Sequence, residues 1–189
     1  AVHALLATTL LSTGLILAGA VGHPYRQSQQ LDKVDTPLQI GPAGGTVLVD
    51  TATAAYAQDL RNLATERNLG SDTPLLDLSG ESPGASYLMG VHPVGGPWLL
   101  GGYPGSDESA KIQLSNVDCV SLSRAWLLVE PQGTKALSEQ DILASFGADI
   151  HDYRLAADVT DPHGGRQNLM EPVDSEAVAQ LCDRIRSRG

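Results

Sequence analysis

The chain has 189 residues, 42% of them apolar, which suits one domain with one packed core behind an apolar N-terminal segment. Lys and Arg number 12 against 22 Asp and Glu, a formal net charge of −10. That balance argues against nucleic acid as a partner, because phosphate binding needs clustered cations, and against the soluble part lying flat on an anionic leaflet.

Residues 1–22, AVHALLATTLLSTGLILAGAVG, contain no Lys, Arg, Asp or Glu and have the length a helix needs to cross a bilayer. Ala18-Gly19-Ala20 would suit a signal-peptide cleavage site, but no basic residue precedes the apolar run, as a signal peptide requires. A transmembrane helix is therefore expected. Gly14, Ala18 and Gly22 recur every fourth residue, a spacing that lets a second membrane helix approach closely. Thr8, Thr9, Ser12 and Thr13 point the same way, since hydroxyls find partners inside a bundle, so further transmembrane helices are expected as partners.

Residues 23–44, with Pro24, Pro37 and Pro42, read as a linker to a soluble domain over 45–189. TVLVD (46–50) reads as a first strand. Tyr56, Leu60, Leu63 and Ala64 then recur at helical spacing, with Thr51 or Thr53 as cap and Gly70 beyond the end. The apolar residues Leu75, Leu76 and Leu78 predict a second strand, followed by a glycine-rich turn (79–84) and a short helix from about Pro83. After a turn-rich stretch around Trp98, Ser106 starts a helix to about Asn116. AWLLVE (125–130) is a third strand, apolar throughout as a parallel strand covered on both faces should be. Ser138, with Asp141 three residues on and Leu137 and Ile142 as a staple, starts another helix that ends at Gly147. YRLAADVT (153–160) is a half-polar strand expected near an edge, and DPHGG is a turn. Asp174 or Ser175 caps a last helix buried through Val178, Leu181, Cys182 and Ile185, whose arginines 184, 186 and 188 complement its C-terminus. The alternation predicts a Rossmann-like, three-layer α/β domain with a mostly parallel sheet of four or five strands containing 46–50, 75–78, 125–130 and 153–160.

The chemistry is sparse. Gly80-Glu81-Ser82-Pro83-Gly84 matches the G-x-S-x-G pattern of a nucleophile elbow, but the residue after the serine must donate a backbone N–H, and Pro83 has none. Ser82 therefore reads as a helix cap with Pro83 in the first turn. No Walker A or GxGxxG pattern supports a nucleotide cofactor, and no histidine spacing supports a metal site. Asp149, Asp152, Asp158 and Asp161 form a loose acidic cluster. Cys119 and Cys182, the only cysteines, are either two buried thiols or, in an oxidising compartment, a bonded pair. The expected ligand site lies at the C-terminal ends of the strands, at Asp50, Thr51, Asp77, Ser79, Glu81 and Gly84, where two strand-ending turns converge if strands 46–50 and 75–78 are neighbours; their hydroxyls and carboxylates suit a sugar.

The phrases VDTATAAYAQDLRNLA, TPLLDLSGESPGASYLMG, PWLLGGYPGS, RAWLLVEP and DYRLAADV resemble the C-terminal soluble domain of bacterial polytopic membrane proteins of the glycosyltransferase-like class that uses polyprenyl-linked sugars. The likeness runs from about Gly45 to Leu169, behind a last transmembrane helix. It implies a cell-membrane protein whose soluble domain faces away from the cytoplasm, with a lipid-linked sugar as partner. The catalytic carboxylate of that class lies in an early loop among N-terminal helices, so no catalytic residue carries over to this chain. Two functions follow: an accessory domain of a membrane glycosyltransferase-like protein, or a non-enzymatic, membrane-tethered binding or interaction module.

Overall fold

The computed structural model describes residues 2–22, 24, 29–40 and 45–188. Helix α1, Val2–Gly22, has no buried residue, and it is long and apolar enough to span a membrane. Apolar on all sides, it has no amphipathic face to lay on the domain. Thr8 and Thr9 satisfy their hydroxyls on the carbonyls of Ala4 and Leu5, one turn back, at 2.9 Å each.

The expected linker is more ordered than its composition suggests. A 3-10 turn at Leu31–Lys33 leads into strand β1, Thr36–Ile40. The linker reading for residues 23, 25–28 and 41–44 lies outside the described residues. Strand β2, Gly45–Val49, pairs antiparallel with β1 to make a separate two-stranded sheet. The first strand is thus present, but it does not enter the main sheet beside residues 75–78. Leu38 and Val49 bury one side of this ribbon against Ala57 of helix α2, Thr51–Glu66, and the Arg61 guanidinium of α2 donates to the Gln39 carbonyl; together these tie the ribbon to the domain. Asp50, not Thr51 or Thr53, caps α2: its Oδ1 accepts the Thr53 amide at 2.7 Å.

The main sheet has five strands in the order β4-β3-β5-β7-β6: His92–Pro93, Pro74–Asp77, Trp126–Val129, Arg166–Pro172 and Tyr153–Thr160. β3 runs parallel to both β4 and β5, whereas β7 is antiparallel to both β5 and β6. The expected mostly parallel sheet is therefore mixed. The hairpin β6–β7, closed by the DPHGG turn, replaces the last crossover, and β6 is the edge strand its half-polar pattern predicted.

Helices cover both faces. α2 and α3 (Ala85–Met89) pack with Leu75, Trp126, Leu128 and Leu169 on one face. On the other, α4 (Ser106–Ser115), α5 (Cys119–Arg124), α6 (Glu139–Ala144) and α7 (Ser175–Arg186) pack with Leu76, Leu78, Leu127 and Val129. Leu127 and Leu128 thus enter opposite layers, and both are fully buried. Each contributes about 2 kcal/mol of apolar transfer, which is why a run without alternation marks a central strand. Ser138 caps α6 as expected, accepting the Asp141 amide, and Asp174 caps α7 through the Ala177 amide. Cys119 and Cys182 form a disulfide that staples α5 to α7 across 63 residues of sequence.

Candidate functional site

The neighbouring parallel strands β3 and β5 send their chains to opposite faces, β3 into α3 and β5 into α6. A crevice at such a switch point is where open α/β sheets hold ligands. Asp77 ends β3, and Glu130 follows β5 beside it. Side chains alternate along strands, so both point to the α2 face, together with Gln167 from β7.

These groups build a closed polar network. Gln167, with no exposed surface, donates through Nε2 to Glu130 Oε2 at 2.8 Å and to Ser82 Oγ at 2.7 Å. The Tyr56 hydroxyl, brought in by α2, lies 2.7 Å from Gln167 Oε1 and 2.8 Å from Ser82 Oγ. With Tyr56 donating to Gln167 and Ser82 donating back to Tyr56, every proton in this ring of three is used. Asp77 Oδ1 accepts from the Ser79 hydroxyl at 2.6 Å and from the Ser79 amide at 3.0 Å. Asp161 closes the hairpin turn, its Oδ1 accepting the His163 and Gly165 amides at 2.8 and 2.7 Å.

Burial sets the electrostatics. Desolvation pushes the Asp77 carboxyl up to about 6 against the pull of its two Ser79 hydrogen bonds. Glu130 is raised as well, by burial first and then by the nearby charges of Asp161 and Glu81, while the Gln167 amide opposes the rise. The Tyr56 hydroxyl is raised by desolvation and by the surrounding carboxylates, so it stays protonated as a donor.

The crevice itself is filled by the protein. The loop after β5 folds back over it, and Leu137 donates its amide to the Leu78 carbonyl at 3.0 Å. Lys135 accepts the Gly101 amide at 2.9 Å. Gly80, at φ +68°, lies so close to the Lys135 carbonyl that a Cβ there would run into it. What the residue types offered as a substrate site is therefore largely an internal polar core: Asp77, Ser79, Ser82, Asp161 and Gln167 are buried, and Glu130, also buried, sits at its edge, where it lines two surface clefts.

The expected ligand residues are scattered around this core. Asp77 and Ser79 bond to each other inside it, and Glu81 stands half-buried within electrostatic reach of Glu130. Gly84 precedes α3 without a side-chain cap. Asp50 is buried at the start of α2, and Thr51 is exposed with its hydroxyl 3.5 Å from that of Thr36. The strand pairing that was to bring Asp50 beside Asp77 does not form, because the partners of β3 are β4 and β5. Ser82 is corrected as well: α3 starts at Ala85, and the Ser82 hydroxyl serves the Tyr56–Gln167 ring, not a helix end.

Sequence reasoning missed Tyr56, Glu130 and Gln167 as site residues. Glu130 carried a signal, as a carboxylate ending an otherwise apolar strand; Gln167 carried none. The loose acidic cluster disperses into local roles. Asp149 and Asp152 cap the turn at Ile150–Asp152 reciprocally, Asp158 meets Arg166 at 3.4 Å, and Asp161 holds the hairpin. Among the described residues no group of three or more His, Cys, Asp or Glu is placed to hold a metal ion. No family model, no curated protein and no solved structure matches this chain.

Proposed function

We propose that this chain is the membrane-tethered, extracytoplasmic accessory domain of a glycosyltransferase-like membrane protein that uses a lipid-linked sugar, and that the domain performs no chemistry of its own. The lipid-linked sugar setting rests on the likeness of the stretch from about Gly45 to Leu169 to that class. The observation that carries the absence of chemistry is the filled switch point. Where an α/β enzyme would admit substrate, the 133–137 loop occupies the crevice and the carboxylates are bonded inward. Catalytic acids need reach to a substrate proton, and Asp77, bonded inward to Ser79, has little exposed surface from which to reach one.

Two further features support the setting. Helix α1 has the length and apolarity of a membrane anchor and buries none of its residues in the domain. The Cys119–Cys182 bond suits an oxidising compartment, as disulfides persist outside the cytoplasm and are rare within it. The parallel part of the sheet, β4-β3-β5, is read as the Rossmann-like unit, with the β6–β7 hairpin closing its far side.

The test has two arms. Alkaline phosphatase fused after Gly189 should be active in cells, and the chain should resist alkaline extraction from membranes. A fluorescent cytoplasmic fusion with inactive phosphatase, or release by alkali, refutes the topology. The purified chain incubated with polyprenyl-phosphate sugars should give no transfer or hydrolysis; turnover refutes the accessory role.

A further inference from the structure

We infer that the cleft between the turn after β5 and the β6–β7 hairpin is a binding site for a primary ammonium group carried on a short apolar stem. The cleft has a volume of about 560 Å³, within the roughly 300–1,000 Å³ typical of small-ligand sites. Glu130, Gln132 and Asn168 supply polar groups to its lining, and Pro131 and Leu155 apolar surface.

The chemistry starts from the free half of the Glu130 carboxylate. Its Oε2 accepts from Gln167, but Oε1 accepts from no described group. The residue is only 6% exposed, so water does little to balance its charge. Oε1 lies 2.6 Å from where a Cβ of Gly165 would stand, and Gly165 lines the same cleft. Asp161 Oδ2 lies 2.9 Å from that point, and it too is bare, because the Asp161 hydrogen bonds run to Oδ1. Two buried carboxylates thus bring an unpaired oxygen to the two sides of one glycine. Neither has a Lys or Arg partner among the described residues, where Arg154 meets Glu171 and Arg166 meets Asp158. His163 is exposed and within electrostatic reach of Glu130, but it forms no ion pair with it. Burial first, and then the charges of Asp161 and Glu81, raise the Glu130 carboxyl above its ordinary range, and a cation beside Oε1 relieves both.

The wall on β7 continues the pattern. Arg166 and Asn168 alternate with Gln167 along the strand, so they face away from the α2 side. Asn168 Oδ1 is buried without a hydrogen-bond partner. An unmet acceptor in the lining favours a ligand that donates. Gln132, exposed on the turn after β5, has a side-chain amide that no described group engages. Arg166 is the one cation of the lining, and Asp158 Oδ1 at 3.4 Å partly matches its charge within the protein.

A bare carboxylate oxygen beside unmet amide acceptors matches a positively charged group with several N–H donors. An ammonium has three donors and no acceptor. A divalent metal ion fits less well, since no group of three or more His, Cys, Asp or Glu is placed to hold one among the described residues. Leu155, 53% exposed, and Pro131 give an alkyl stem surface to cover. The inference stands on this cleft and holds whatever membrane protein the chain belongs to.

The experiment titrates the full chain, in a nonionic detergent and a buffer free of primary amines, with butylammonium, 1-butanol and calcium. NMR reads the Gly165 backbone amide and the Gln132 and Asn168 side-chain amides. Butylammonium should move these signals saturably in the millimolar range, with the Gly90 amide after α3 unmoved. Glu130→Gln keeps an oxygen for the Gln167 amide but no charge, and it should weaken that binding about tenfold or more. Arg166→Ala removes a like charge at an exposed side chain, where the fold tolerates it, and should tighten binding about twofold to fivefold. Unchanged far-UV dichroism checks both variants, and the Arg166 variant decides the matter if Glu130→Gln does not fold. Absence of a saturable shift with butylammonium overturns the inference. So does 1-butanol binding as tightly, unaltered affinity in Glu130→Gln, binding no tighter in Arg166→Ala, or calcium moving the same signals at lower concentration than butylammonium.

Discussion

Replacing Asp77 by Asn should stabilise this protein at neutral pH. In the fold the Asp77 carboxyl titrates near 6, against 3.8 when unfolded, because burial disfavours its charge more than the two Ser79 hydrogen bonds favour it. Between those values the folded state holds more protons than the unfolded one, so stability falls as pH rises, and above about 6 the full penalty is in force. The displacement corresponds to about 3 kcal/mol. Asn has the same shape and keeps an oxygen to accept from the Ser79 amide and hydroxyl, but never ionises. D77N should therefore match wild type near pH 4 and exceed it by up to about 3 kcal/mol at pH 7.5. Glu130 shifts in the same direction and Asp118, held low by its bonds to Ser121, in the opposite one, so the difference between the two proteins is the quantity to follow. Urea unfolding of the oxidised chain, followed by tryptophan fluorescence from pH 4 to 8, measures it. If D77N is less stable than wild type at pH 7.5 with an unchanged urea slope, the carboxylate contributes attraction that the desolvation argument omits, and the reasoning fails.

Reducing the Cys119–Cys182 bond, or replacing both cysteines by Ala, should cost about 4 kcal/mol for a loop of 63 residues, read as a drop in urea midpoint with and without dithiothreitol. Gly80→Ala and Gly90→Ala test the filled crevice together. Both glycines are left-handed, at φ +68° and +69°, but only Gly80 has the Lys135 carbonyl in the way, while Gly90 has open space. Gly90→Ala should cost about 1 kcal/mol of backbone strain and Gly80→Ala clearly more; equal urea midpoints would refute the tight seal. Ser82→Ala should cost about 1–3 kcal/mol by leaving Tyr56 and Gln167 partly unsatisfied, and Ser82 should remain unlabelled by a fluorophosphonate probe, since its hydroxyl is buried in the ring.

The site was legible only where a local signal existed. Asp77 and Ser79 ended an apolar run, and such a run before a glycine-rich turn marks the carboxyl end of a strand wherever it occurs. That their carboxylate and hydroxyl face each other inside the protein, beneath the loop that follows β5, depends on residues some 60 positions away, and no local pattern encodes it.

By itself the sequence determined the elements whose physics is local. The uncharged run at 2–22 made a helix with no buried face, the continuous apolar stretch at 126–129 made a strand buried on both sides, and Ser138 and Asp174 capped helices through amides three residues on. These follow from burial periodicity and from unsatisfied backbone donors, both of which are read within one or two turns of chain. Tertiary structure decided what depends on partners. Residues 166–172 gave no strand signal because the inward position is Gln167, a polar side chain whose burial is tolerable only when Tyr56, Ser82 and Glu130 surround it. Strand 45–49 paired with 36–40 and not with 74–77, and two cysteines 63 residues apart met across α5 and α7. Each of these outcomes rests on contacts between distant segments, whose free energy exists only once the chain has closed around them.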